Sequence, residues 1–263
     1  MDFAEFHTIT LPTDQNLFNE LIHSADFETT GKGRLGNHLV DVQDENIPVV
    51  RTTTRFTTPA VTFSPLHHRL VAEINDTLLA NHIEIPVQSF NNALIEVYDS
   101  SYSKMGFHSD QALDLEENSF IALFTSYERP DELKESHLRK LVIKDKITEE
   151  ESEIILHHHS VVLFAIETNK RFQHKIILNV PPNSIINHNK WLGITFRTSK
   201  THIRFRDGKP YLSTGEPLTL ANTDQESEFF KLRGRENREL DFAYPDLQYT
   251  ISNADLLVPI TKI

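Results

Sequence analysis

Cysteine is absent from all 263 residues. Its absence excludes disulfide scaffolding, thiolate metal ligands and cysteine nucleophiles, so any metal has to be held by His, Asp or Glu. No uninterrupted apolar run approaches the roughly 20 residues that a membrane helix needs, and the opening MDFAEFHTITL lacks the basic and apolar regions of a secretory signal. Neither a membrane partner nor export is expected, which leaves the cytoplasm as the expected compartment. Positive charge is also short. Against 38 Asp and Glu stand 26 Lys and Arg, a formal net charge of -12. That balance repels a phosphate backbone and argues against a nucleic-acid partner, although a local basic patch would override it. What remains is 38% hydrophobic and 24% charged residues, with 14 histidines, the makeup of a globular chain long enough for a real core.

Residues 13–26 open with Thr/Asp capping chemistry and set Leu17, Phe18, Leu21 and Ile22 on one helical face. A second helix is expected over 66–82, with Leu66, Leu70, Ile74, Leu78 and Leu79 as its buried stripe. Between them, 47–65 is rich in Val, Thr and Phe and broken by prolines, which reads as extended segments at a sheet edge. The periodicity then turns to that of strands, over 90–98, around MGFHSD, and over 119–127, 138–144, 160–166, 174–180, 192–198 and 202–208. TEEESEII reads as a charged connection or short helix. A turn at 207–210 and a helix within 225–240 follow. Short strands with helices gathered at the N-terminal side predict a mainly β fold, a sandwich or barrel with helices on one side. Without repeats or a clean linker, one domain over 1–263 is expected, its core at about 46–203 and a C-terminal elaboration over 204–263.

GFHSDQ sets His108 and Asp110 two residues apart, a spacing that in a strand sends both side chains to one face. The best placed third ligand is His174, at the head of HKIIL. Two His and one carboxylate on one face of an octahedral ion leave open positions, the arrangement of non-haem Fe(II) oxygenases, whereas zinc prefers a tetrahedral site. His67, His68 and the run His157 to His159 form no comparable set, because three adjacent residues cannot all converge on one ion. Trp191, Phe229 and Phe230 read as packing residues, with the C-terminal helix in a position to fold over the site.

From about Val49 to Ser199 the chain resembles the AlkB-like branch of the Fe(II)/2-oxoglutarate dioxygenases. The resemblance rests on a strand beginning Phe90-Asn91 and ending in Tyr98, on the His-x-Asp that follows, on His174 after a polar Arg-containing turn, and on Thr195-Phe196-Arg197. It implies a double-stranded β-helix (jelly-roll) core with flanking helices. It also implies Fe(II) on His108, Asp110 and His174, with 2-oxoglutarate and dioxygen as co-substrates. Arg197 would clamp a co-substrate carboxylate, Tyr98 would donate its hydroxyl to the co-substrate, and Thr195 would line its pocket. The implied reaction is oxidation, foremost hydroxylation, of a small-molecule or peptide substrate with release of succinate and CO2.

The sequence departs from the family at three places. Trp191 stands where the arginine for the distal carboxylate is expected. Glu96 replaces an asparagine, and an anion beside a second carboxylate is unfavourable unless it is protonated, turned away or paired. Lys104 and Lys190 are candidate compensating cations, though both equally suit a solvated surface. Ala112 and Leu113 replace the acid usual in nucleobase-repair members, which argues against base repair. Arg51 and Arg55 lie where the family builds substrate-covering loops and are candidate substrate contacts with Glu96 and Trp191, or simple surface charges. A nucleic-acid demethylase and a catalytically vestigial jelly-roll binding protein stand as the alternatives.

Overall fold

Strand residues in this chain alternate between two apolar environments, and that alternation builds the molecule. The computed structural model describes residues 5–179 and 189–262. In chain order the strands are β1 (Phe6–Thr10), β2 (Glu28–Gly31), β3 (Arg34–Val40), β4 (Ile47–Pro48), β5 (Val61–Thr62), β6 (Asn92–Tyr98), β7 (Phe120–Tyr127), β8 (Arg139–Asp145), β9 (Glu151–Leu156), β10 (Ser160–Ala165), β11 (Phe172–Ile177), β12 (Trp191–Arg197), β13 (His202–Arg206), β14 (Lys209–Leu212), β15 (Thr219–Leu220) and β16 (Tyr249–Thr250). The helices are α1 (Phe18–His23), α2 (Pro65–Ala80), α3 (Ile166–Arg171) and α4 (Thr223–Glu236).

The large sheet runs β1-β10-β7-β12-β6-β3-β2, with β5 on β3. The small sheet runs β11-β8-β9, and a bridge between His108 and His174 adds the metal-loop segment to its β11 edge. From β6 to β12 the chain passes repeatedly between the two sheets, and β6, β12, β7 and β10 pair antiparallel. That winding is a double-stranded β-helix, and the fold is mainly β with flanking helices.

On the outer face of the large sheet, Ala93, Ile95 and Val97 of β6 and Leu192, Ile194 and Phe196 of β12 pack with Leu17, Phe18 and Leu21 of the first helical segment and Leu70, Ile74 and Leu78 of α2. Tyr98, Trp191, Ile121 and Leu123 face the other way, into a second core shared with Leu141, Ile143 and Ile176 of the small sheet. Side-chain alternation therefore puts Asn92, Glu96, Gly193, Thr195 and Arg197 on the inner face as well.

Helix α2 follows its sequence pattern closely. Pro65 sits at its first turn, and the Ser64 N–H donates to His67 Nδ1 at 2.9 Å, which is the structural task of that buried histidine. Leu79, expected in the stripe, is 77% exposed, because Leu78 occupies the inward position at that turn. Helix α1 is shorter than 13–26. Its Thr13/Asp14 start is not used, and Asn16 Oδ1 accepts from the Phe18 N–H instead. The charged stretch expected as a connection or short helix is strand β9, an edge strand on β8 whose acids meet basic neighbours, with Glu153 2.6 Å from Lys140. The strand expected over 174–180 begins earlier, at Phe172, and residue 180 lies outside the described residues, as do the first four residues of the N-terminal stretch. The turn at 207–210 is a tight hairpin. Asp207 (φ 50°) and Gly208 (φ 73°) both take the left-handed conformation that a two-residue loop requires.

Candidate metal centre

His108, Asp110 and His174 each offer a ligand atom, and those atoms all lie within 4.8 Å of one another. Two backbone hydrogen bonds set the pair of histidines: His108 N–H donates to His174 O at 3.0 Å, and His174 N–H to His108 O at 2.7 Å. Their rings are 4.7 Å apart, and His174 Nε2 is 3.8 Å from Asp110 Oδ1. His108 Nδ1 lies 2.9 Å from Gly106 O, to which it donates, leaving Nε2 as the free ligand nitrogen. Only 12% of the His174 side chain and 15% of the Asp110 side chain remain exposed, so the set is largely sheltered from solvent.

The protonation states suit a cation. Burial, reinforced by His174, lowers His108 to about 4, and burial also lowers His174, so both imidazoles are neutral near pH 7. Burial pushes the Asp110 carboxyl up, but His174, Arg197, His108 and Arg233 outweigh it and hold the group below the usual carboxylate range. Two neutral nitrogens and one carboxylate are the species that bind a divalent ion. Asp110 Oδ2 is buried with no partner, as expected of an atom reserved for a ligand.

Arg197 is 2% exposed, and its Nε and Nη2 find no acceptor. Burial lowers its affinity for its proton, against the attraction of Asp110 and Glu96. A buried guanidinium without a paired anion is costly unless a ligand completes it. His38 on β3 is 7% exposed, and its ring is driven down to about 3 by burial and then by Arg197. Its stabilising contribution is therefore present above the unfolded value of about 6.5 and is lost as pH falls toward 3. We expect a urea midpoint series at pH 6.5 and 5.0 to show about 1–2 kcal/mol less stability at the lower pH from this residue. His38→Asn should flatten that slope; an unchanged slope would show that His38 is not the group responsible.

Three positioning residues lay beyond sequence reasoning. Asn169, 2% exposed in α3, accepts from the Asp110 N–H at 2.7 Å and donates to Asp110 O at 2.8 Å, holding that residue from both sides. From α4, Arg233 donates to Ser109 O and pairs with Glu236 at 2.6 Å, while just beyond it Asn237 Oδ1 accepts from Ser109 N at 3.0 Å. Glu236 accepts from the Ala112 N–H at 2.8 Å, and Leu113 packs against Phe229 and Leu232 of α4, so Ala112 and Leu113 are engaged by that helix. Asn169→Ala removes both bonds that hold Asp110, and Fe(II) or Co(II) affinity should fall by roughly 10- to 100-fold with an unchanged far-ultraviolet spectrum. Wild-type affinity in that variant would remove Asn169 from the site.

The remaining candidates separate clearly. Glu96 is paired with a cation, but that cation is Arg34, at 2.5 Å, and not Lys104, which is exposed, or Lys190, which lies 3.7 Å from Glu128. Burial opposes the Arg34 charge, yet Glu96 beside it raises the guanidinium further. Tyr98 donates its hydroxyl to Glu96 at 2.7 Å. Thr195 is half-buried on the inner face, and Trp191 is fully buried there. Arg51 is buried against Asp114 at 2.6 Å, and Arg55 pairs at the surface with Glu226 of α4, so both are committed to protein contacts. Phe229 is a packing residue as expected, whereas Phe230 is 44% exposed. His68 lies 3.7 Å from Asp41, and His158 accepts from the Tyr127 N–H while stacking on His159.

No family model and no curated protein matches the chain. Among solved structures it is similar to OsALKBH1, an AlkB homologue, at 15% identity with a TM-score of 0.49, over 74% of this chain and 98% of that one. It is also similar to a prolyl-4-hydroxylase from Pseudomonas putida, at 11% identity with a TM-score of 0.44, over 74% of this chain and 92% of that one.

Proposed function

We propose that this chain is an Fe(II)-dependent oxygenase of the 2-oxoglutarate dioxygenase type, using a 2-oxo acid and dioxygen to oxidise a small molecule or peptide. The observation that carries the reading is the unpartnered, buried Arg197 guanidinium on the inner face of the large sheet, close enough to Asp110 for the two charges to attract, beside a cluster of two neutral imidazoles and one carboxylate on the metal loop and small sheet. The donor set suits Fe(II), and the head of a 2-oxo acid suits Arg197, whose Nε and Nη2 offer two parallel donors to a carboxylate. The far end of the same face suits a second carboxylate poorly, because Glu96 lies there. When bound, the metal would let dioxygen split the 2-oxo acid into CO2 and the carboxylic acid one carbon shorter, with the second oxygen atom inserted into a substrate C–H bond.

The chain's own residues supply position and exclusion. Asn169, Arg233 and Asn237 hold the ligand loop from behind, Arg197 would orient the acid, and the burial of His174 and Asp110 limits entry of water. A net charge of -12 supports a substrate other than nucleic acid. Anaerobic titration with Fe(II) followed by a panel of 2-oxo acids tests the reading. A weak visible charge-transfer band should develop, and oxygen uptake should match CO2 release. A protein that binds Fe(II) yet develops the band with no 2-oxo acid would end it. Salt-sensitive binding to oligonucleotides would move the substrate to nucleic acid.

A further inference from the structure

Cross-strand register orders the inner face of the large sheet into rows. Arg197 pairs with Asn92, Thr195 with Leu94, Gly193 with Glu96, and Trp191 with Tyr98, which in turn pairs with Arg34. The metal ligands lie near the Arg197 end, where Asp110 and Arg197 attract each other. A 2-oxo acid held by Arg197 would therefore extend its tail along the rows of Thr195 and Gly193.

The far end of those rows is built in an unexpected way. The Trp191 indole lies over Gly193 so closely that a Cβ there would meet Trp191 Cη2 at 2.1 Å. Glycine and indole thus fit only as a pair, and the space over the strand is filled. Beside them stands the Glu96 carboxylate, 7% exposed.

Among the described residues, the two arginines at this end, Arg34 and Arg139, already have acceptors. Arg34 Nε donates to Glu96 Oε1 at 2.6 Å, and the Tyr98 hydroxyl donates to Oε2 at 2.7 Å. Arg139 donates to Tyr102 O and Asp99 O, both at 2.7 Å, with its guanidinium 5.1 Å from the Tyr98 ring centroid and 5.8 Å from that of Trp191. The buried polar atoms left without partners at this end, among the described residues, are uncharged: Trp191 Nε1, and Thr125 Oγ1 in the row of Gly193.

We infer that the site takes a 2-oxo monocarboxylate with a short, uncharged tail, and that Glu96 and Trp191 select against the second carboxylate of 2-oxoglutarate. The inference rests on the 2-oxo acid reading of the site. A terminal carboxylate would have to lie against Glu96 as a like charge or break the Arg34 pair, whereas a methyl or ethyl tail meets neither demand. A polar uncharged tail would find Trp191 Nε1 as a donor.

The test uses the full chain loaded anaerobically with Fe(II) and titrated with pyruvate, 2-oxobutyrate and 2-oxoglutarate, with the charge-transfer absorbance as readout. Half-saturation by one of the monocarboxylates should come at least tenfold below that by 2-oxoglutarate. Glu96→Gln should narrow the gap at least fivefold by tightening 2-oxoglutarate. The wild-type ranking decides the matter even if that variant fails to fold. Tighter binding of 2-oxoglutarate than of either monocarboxylate overturns the inference and shows that Arg34 or Arg139 turns to receive the tail. An unchanged gap in folded Glu96→Gln overturns the role of Glu96. Fe(II) binding with no response to any of the three acids instead overturns the underlying reading, and the tail assignment with it.

Discussion

Asp110→Ala should fold normally and lose Fe(II), with affinity down at least 100-fold. Asp110 supplies the only negative charge among the three ligands, and its Oδ2 is spent on no protein partner. Its removal therefore costs the metal site far more than it costs the fold. A hundredfold loss corresponds to about 2.7 kcal/mol of binding free energy, modest for deleting one of three ligands and the whole of their charge. The charge-transfer band should vanish with the metal. Equilibrium dialysis against Fe(II), beside a thermal melt, separates the two effects. An Asp110→Ala protein that retains iron as well as the parent would refute the assigned ligand set.

The second large effect is on stability. Arg51 and Asp114 form an ion pair with side-chain exposures of 4% and 0%. Asp114 accepts from Arg51 Nε at 3.0 Å, from Nη2 at 2.6 Å and from the Arg51 backbone N–H at 2.7 Å. Arg51 Nη1 reaches on to Leu247 O at 2.7 Å and Tyr249 O at 3.2 Å, so one side chain joins the start of the core to the C-terminal arm. Arg51→Ala leaves a buried carboxylate with only a backbone donor, a change that costs about 3–5 kcal/mol. For a chain of this size that lowers Tm by on the order of 10 °C. The double variant Arg51→Met/Asp114→Leu should recover much of the loss, because it buries no unpaired charge. A single variant that melts within a degree of the parent would show that the pair contributes little.

Local pattern carried much of the fold. Helix α2 was legible because Leu70, Ile74 and Leu78 repeat at helical spacing, and the central strands because their apolar residues run in short blocks between polar turns. The ligand pair was legible for a similar reason, since an i, i+2 spacing in extended chain needs no tertiary information. Partner choice across long sequence separations was not. Arg34 and Glu96 are 62 residues apart, Asn169 and Asp110 59, and Arg233 and Ser109 124. Nothing local distinguishes Arg34 from a solvated arginine, and the pairing appears only when β3 and β6 lie side by side. Lys104 and Lys190, nearer in sequence to the expected pocket, are therefore the cations that local pattern offers. Strand β9 was missed because its acids mask an edge position whose neighbours are lysines on β8. The resemblance places Arg51 and Arg55 in substrate-covering loops, with surface charge as the alternative. Instead the C-terminal arm covers Arg51, and α4 engages Arg55.

The hold of α4 on the ligand loop has a consequence for biosynthesis. All three ligands leave the ribosome well before Arg233 and Asn237, the two residues that grip Ser109 between His108 and Asp110. A nascent chain can thus pair its sheets, bring two histidines together and engage Asp110 through Asn169 while the Ser109 backbone beside it still lacks its partners from α4 and Asn237. On the proposed reading, firm metal binding would wait until α4 has closed behind the loop, and a chain stalled before residue 233 would carry all three proposed ligands without the α4 contacts that hold Ser109.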